Sequence, residues 1–307
     1  MIQLLMCLAF LLAAPLISSY ALHRQTRRTV LSALEQGKDG ADSAEQNLRD
    51  RASMRDIAEP LLDVNLIRDV LDAWTRPLPA SYLTSPLVLS GPSGVGKNRL
   101  VTSLLVDYNK YFKRCVTHTT RRPREGEVNG THYHFVPKEV FAQLVERGDY
   151  FLENAKVHGN HYGLSKESYR NVTNLGKISI FEIDVQGARS LREVGARANG
   201  LTPRYLFIEP VSMEALRDRL ITRGTESSAD MELRVSNAAG EVEAAREKGL
   251  FDRTLVNADF EMTSRAFFRT ARDWYPALPS ASRIRMLQRR VAKIKAMAAA
   301  AAAPRAD

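Results

Sequence analysis

Cysteine is nearly absent from this chain. Its 307 residues include only Cys7 and Cys115, and Cys7 lies inside an apolar run. Neither a disulfide framework nor a cysteine-based zinc site can be built from two such residues, so the folded part is expected in a reducing compartment. Internal repeats are also lacking. No positive charge other than the amino terminus precedes the apolar stretch Met1–Leu22, although a secretory signal asks for one. The net charge of +9 might suggest nucleic acid, but the central part of the chain lacks a concentrated excess. The surplus sits in the two ends, which argues against a basic nucleic-acid-binding domain and for tails that touch a membrane or an acidic partner. With 44% hydrophobic and 26% charged residues, the remainder has the composition of a soluble globular protein with a sizeable core.

Four regions follow from these patterns. Residues 1–28 are an apolar segment closed by the basic run His23–Arg28. Ile2–Ile17 is short for the roughly 30 Å of a bilayer core, though the run can extend to Leu22. The charge behind it predicts an outward amino terminus with the body inside. An anchor, a targeting sequence cleaved near Ser19-Tyr20-Ala21, and an internal start at Met54 all remain open. Residues 29–84 are a polar, acidic linker with one helical pattern at Leu61, Leu62, Leu66, Val70 and Leu71. Residues 85–275 form the main domain. Residues 276–307 hold a basic helix and an alanine-rich end. In that helix, Arg283–Met297, Ile284, Leu287, Val291 and Ile294 recur at helical spacing beside six basic and no acidic residues. The pattern suits an anionic membrane surface, or a solvated helix packed on its own domain.

Within the main domain, short apolar runs alternate with helical patterns. Leu87–Ser90, Ile178–Ile183 and Tyr205–Ile208 read as buried strands, and Leu255-Val256 marks a last strand. Helical stretches follow at Asn98–Lys110, Ala188–Ala198, Ser212–Thr222 and Ser264–Trp274. Such alternation predicts an α/β fold with a parallel sheet flanked by helices. Between Val116 and Val157 several short strands surround one helix, Lys138–Arg147, which predicts a separate small mixed α/β subdomain.

Gly91, Pro92, Ser93, Gly94, Val95, Gly96 and Lys97 follow the first strand and open a helix. Glycines at this spacing let backbone N–H groups wrap phosphate, and the helix dipole favours the negative charge. Lys97 adds a point charge for the β- and γ-phosphates. The next position ordinarily offers a Ser or Thr hydroxyl to magnesium; here it is Asn98, whose longer amide would need the loop to shift.

The phosphate loop, the run from Thr119 to Glu127, Tyr133-His134-Phe135, Gly159–Gly163, Glu182–Gly187, Arg223-Gly224-Thr225 and Val256-Asn257 together resemble guanylate kinase. The match runs in order from about Pro86 to Trp274. The resemblance implies a phosphate-loop sheet, a GMP-binding subdomain and a helical lid, with ATP and GMP as ligands and Mg2+ accompanying ATP. It places Arg121, Arg124, Tyr133 and Tyr162 on the GMP phosphate, with Glu127 orienting the clamp. Glu153 would read the N–H edge of guanine, with Thr117 and Asp184 nearby. Arg219, Arg223 and Arg234 would close over the transferring phosphates. Asn257 would meet the purine side of ATP, and Glu182 with Asn98 would attend the magnesium ion. His118, His158 and His161 are expected to pack or hydrogen-bond.

Two departures accompany the match: Leu164 stands where a hydroxyl is common, and Asn154 where an aromatic is frequent. The expected reaction is γ-phosphoryl transfer from ATP to GMP. The alternatives are a binding module that has lost transfer, or a relative acting on another phosphorylated sugar or nucleotide. A need for ATP argues against export and for the cytoplasm, with or without a membrane anchor at residues 1–28; organellar targeting stays open.

Overall fold

The computed structural model describes residues 76–157, 159–223, 228–289 and 292. The apolar segment 1–28, the linker helix around Leu61–Leu71, His158, Gly224, Thr225 and the alanine-rich end lie outside these residues, as does the side chain of Arg223. In chain order the elements are α1 (Ala80–Leu83), β1 (Leu87–Ser90), α2 (Lys97–Tyr108), β2 (Phe112–Arg114), β3 (His118–Thr119), β4 (His134–Phe135), α3 (Lys138–Glu146), β5 (Phe151–Val157) and β6 (Asn160–Ser165). Then come α4 (Lys166–Thr173), β7 (Ile178–Glu182), α5 (Val185–Ser190), a π-turn at Leu191–Gly195, α6 (Ala196–Ala198), β8 (Arg204–Pro210), α7 (Met213–Arg223), α8 (Ser228–Ala245), β9 (Arg253–Asn257) and α9 (Phe260–Trp274).

The main sheet has the order β2-β7-β1-β8-β9, and every neighbouring pair is parallel. Strand β1 lies at its centre with all four residues buried, which is why its sequence is a continuous apolar run rather than an alternation. Successive side chains still point to opposite faces. Leu87 and Leu89 pack with Leu100, Leu104 and Phe267 on one side, while Val88 packs with Phe181, Leu191 and Tyr205 on the other. Covering both faces with helices leaves one open place for a ligand: the carboxyl ends of the strands, where the connections from β1 and β7 diverge.

The smaller sheet is mixed, with the order β4-β3-β6-β5. Its β3–β4 pair is parallel and its other two pairs antiparallel. Register places Thr119 opposite Tyr162 and Glu153 opposite Leu164. Under this sheet, Phe141 stacks on Phe151 at 4.9 Å. His118 is buried, with its Nε2 at 3.2 Å from the Tyr150 hydroxyl, and His161 lies against Phe141. The His118 ring therefore packs and hydrogen-bonds, and the His161 ring packs.

The packed unit runs past residue 275. Helical residues 281–289 bring Ile284 into the core that contains Leu87 and Phe267, and Leu287 is buried as well. Arg285 pairs with Asp107 at 2.7 Å, and the Tyr275 hydroxyl donates to the Ser85 carbonyl at 2.7 Å. Of the two readings of the basic helix, its described part follows packing on its own domain, because Ile284 and Leu287 of its apolar face are buried. Among the described residues no helix is long and apolar enough to cross a membrane.

Candidate functional site

The glycine-rich loop bridges β1 and α2. Gly91 adopts φ +144°, and a Cβ there would lie 2.3 Å from the Ile208 carbonyl oxygen of β8. Any side chain would therefore meet backbone in a conformation that L residues avoid. Gly91→Ala is expected to lower unfolding stability by at least ~2 kcal/mol in a urea titration. An unchanged midpoint would show that β8 can give way.

Three side chains from the other end of the domain hold this loop. The Asn257 amide donates to the Val95 carbonyl at 2.6 Å. Arg219, on α7, donates to the Asn257 carbonyl at 2.9 Å and to the Val95 carbonyl at 3.4 Å. Arg234, on α8, donates to the Ser93 hydroxyl at 2.8 Å. The Asn257 amide nitrogen braces the loop because the end of β9 lies directly behind Val95. Its Oδ1 is buried without a hydrogen-bond partner among the described residues.

Lys97 begins α2 and folds over its own loop, donating to the Gly91 carbonyl and, at 3.0 Å, to the Pro92 carbonyl. Burial lowers its pKa, while Glu241, Glu182 and Asp184 push it back upward. Glu241 is a residue that the sequence did not single out. It lies on α8, seven positions beyond Arg234, so both face the loop from one side of that helix. Burial raises its carboxyl, against the pull of Lys97.

Asn98 is exposed in the first turn of α2. Glu182, at the end of β7, forms an ion pair with Arg114, whose Nε lies 3.0 Å from Oε1. Arg114 escaped sequence reading as well, since β2 has no apolar run to announce it.

The smaller sheet and its loop contribute a second cluster. Arg121 pairs with Glu127 at 2.9 Å, and the other Glu127 oxygen accepts the Arg124 backbone N–H at 2.7 Å. Burial alone would raise the Glu127 carboxyl, but these bonds outweigh it and hold it below its usual value. Arg121 lies 5.4 Å from the Tyr133 ring, and Tyr133 meets Tyr162 edge-on at 6.1 Å. Thus Arg121, Arg124, Glu127, Tyr133 and Tyr162, dispersed over some forty positions, converge. Burial raises the Tyr133 phenol first, and Tyr162 and Glu182 add to it, so this cluster and the end of β7 share one electrostatic environment.

Glu153 is 4% exposed, and burial, with Asp184 second, pushes its carboxyl up to about 8. A Cβ on Gly187 would lie 2.5 Å from Glu153 Oε2 and 3.1 Å from Asp184 Oδ1, so glycine is what lets the two carboxyls approach. Asp184 also caps α5, accepting the Gly187 N–H at 2.9 Å. Thr117 is buried, and its carbonyl accepts from His134. Leu164 belongs wholly to the core. Its neighbour Ser165 caps α4 through the Ser168 N–H at 3.1 Å, so it offers no substitute hydroxyl. Beside Asp184 opens a cleft of about 670 Å3, lined among others by Lys156, Gln186, Asn237 and Glu241.

The family model for guanylate kinase matches residues 83–270. Guanylate kinase 1 of Oryza sativa subsp. japonica is 46% identical over 192 residues, which cover 62% of this chain and 48% of that protein. Guanylate kinase of Sus scrofa is 40% identical over 172 residues, covering 56% and 84%. The chain spans about half the length of the plant relatives it matches. A crystal structure of guanylate kinase from Anaplasma phagocytophilum aligns over 64% of this chain and 88% of that one, at 29% identity and a TM-score of 0.46.

Proposed function

This chain belongs to the guanylate kinase family, and from that premise we propose that it transfers the γ-phosphoryl group of ATP to GMP, giving ADP and GDP. The observation that carries this reading is the buried Glu153, set beside Asp184 by Gly187 in the same domain as a phosphate loop with its lysine. Guanine offers two adjacent N–H donors on one edge, and a carboxylate accepts both. An adenine edge would gain nothing from it.

Arg121 and Arg124 bind the GMP phosphate with their planar forks, and Tyr133 and Tyr162 donate phenolic hydrogens. Glu127 holds the Arg121 fork in place. Ser93 and the loop N–H groups cradle the phosphates of ATP. A GMP phosphate oxygen bonds to the γ-phosphorus as the bond from that phosphorus to the ADP oxygen breaks. The attacking oxygen is already anionic, so no general base is required. Lys97 turns from its carbonyls to the phosphates, and Arg219, Arg223 and Arg234 neutralise the spreading charge as the lid closes and excludes water. Asn98 and Glu182 supply oxygen donors of the hard kind that magnesium takes, so they fit a Mg2+–ATP complex. When bound, the ion would screen the β- and γ-phosphate charge.

A coupled ADP-release assay with GMP, AMP, CMP and UMP tests the reading. Turnover with GMP alone is expected; none with GMP at saturating Mg2+–ATP would leave a nucleotide-binding module. Asn98, which departs from the hydroxyl pattern, is the observation on that side. Asn98→Ser is accordingly expected to raise kcat roughly threefold to tenfold, and an unchanged rate would show that the amide is not limiting.

A further inference from the structure

Arg114 has no part in the transfer as derived above, yet its guanidinium joins three pieces of the phosphate site. Nε lies 3.0 Å from Glu182 Oε1. Nη2 donates to the Asn98 carbonyl at 2.8 Å and to the Thr102 hydroxyl at 3.0 Å, which lie one turn apart on α2. The sheet explains the reach. Arg114 pairs in register with Ile180, two residues before Glu182, and so projects on the same face. Glu182 in turn lies beside Leu89 of β1, two residues before the loop begins.

Two cations act on Glu182, Arg114 first and Lys97 second. A largely buried carboxylate needs a cationic partner, and leaving it without one is costly. If Arg114 were absent, the remaining cation near Glu182 would be the lysine of the phosphate loop. We propose that Arg114 is a positioning residue of the phosphate site. By occupying Glu182 and bracing the start of α2, it keeps that carboxylate from capturing Lys97, which stays on the Gly91 and Pro92 carbonyls until a polyphosphate arrives. The inference rests on reading this cleft as a nucleotide site. It goes beyond that reading in naming what keeps the lysine available.

The test uses the full-length chain and ATP in EDTA, followed by isothermal titration calorimetry, so that no metal enters. Arg114→Met is expected to weaken ATP roughly fivefold to tenfold and to leave GMP affinity unchanged. Adding Glu182→Gln should return ATP affinity to within about twofold of wild type. A loss that persists in the double variant, an equal loss for both ligands, or no loss at all would overturn the proposal. Should Arg114→Met fail to fold, Glu182→Gln alone decides. With the competitor removed, ATP must bind at least as tightly as to wild type, and weaker binding overturns the idea. Wild-type protein that binds ATP but leaves GMP unphosphorylated would remove the kinase reading while leaving this one standing.

Discussion

Lys97→Met should give a folded protein whose phosphoryl transfer is roughly a thousandfold slower. Methionine keeps most of the stem that crosses the loop and removes only the charge. In the present arrangement Nζ donates to the Gly91 and Pro92 backbone carbonyls of its own loop, so its structural duty is light. Its electrostatic duty is heavier, because it is a cation facing Glu241, Glu182 and Asp184. Without it these acids, already raised by burial, take up protons more readily, which limits the stability cost near neutral pH. Single-turnover kinetics with a thermal melt on the same sample separates the two effects. A rate within tenfold of wild type would show that the lid arginines neutralise the γ-phosphate without help from the loop.

Glu153→Gln is expected to weaken GMP roughly a hundredfold while leaving ATP affinity unaltered, because the amide sets a donor against one of the two guanine N–H groups. The wild-type carboxyl makes a second, sharper statement. Its pKa rises from 4.5 to about 8 on folding, through burial and then Asp184, so at pH 7 the ligand-free site holds it mostly protonated. Guanine requires the carboxylate, and binding must therefore expel a proton. GMP affinity should climb with pH up to about 8 and level off above it. Calorimetry in buffers of different ionisation enthalpy should find close to one proton released at pH 7 and almost none at pH 9, as linkage requires.

The sign for stability is the opposite. With the folded value raised above the unfolded one, the contribution of this group is fully present below 4.5 and is lost as pH rises through about 8. Glu153→Gln should consequently melt higher than wild type at pH 9. Proton release that does not change between pH 7 and 9 would exclude Glu153 as the base-reading acid.

Much of this was legible from residues in order along the chain. Leu87–Ser90 has to be a central strand, since a run apolar on both faces can only lie between two helical layers. The glycine spacing before Lys97 states its own purpose, because phosphate wrapping is a local backbone property. The dispersed Arg121, Arg124, Tyr133, Glu153 and Tyr162 were reachable only through the family resemblance, as nothing in their local sequence shows that they meet. Helix α5 was expected as one stretch with α6, but a π-turn interrupts them, a change that a 3.6-residue period does not distinguish.

Other features answer to distance rather than order. Asn257 braces Val95 across 162 positions. Arg114 finds Glu182, and Glu241 on α8 acts electrostatically on Lys97. Ile284 enters the core and Leu287 is buried, although their helix reads equally well as a membrane face. Periodicity and glycine spacing report how neighbouring residues sit on one element, so sequence alone could set the parallel sheet and the glycine-rich loop. Which cation a buried carboxylate pairs with, and what covers an apolar stripe, depends on how separate elements pack, and only the tertiary structure decides it.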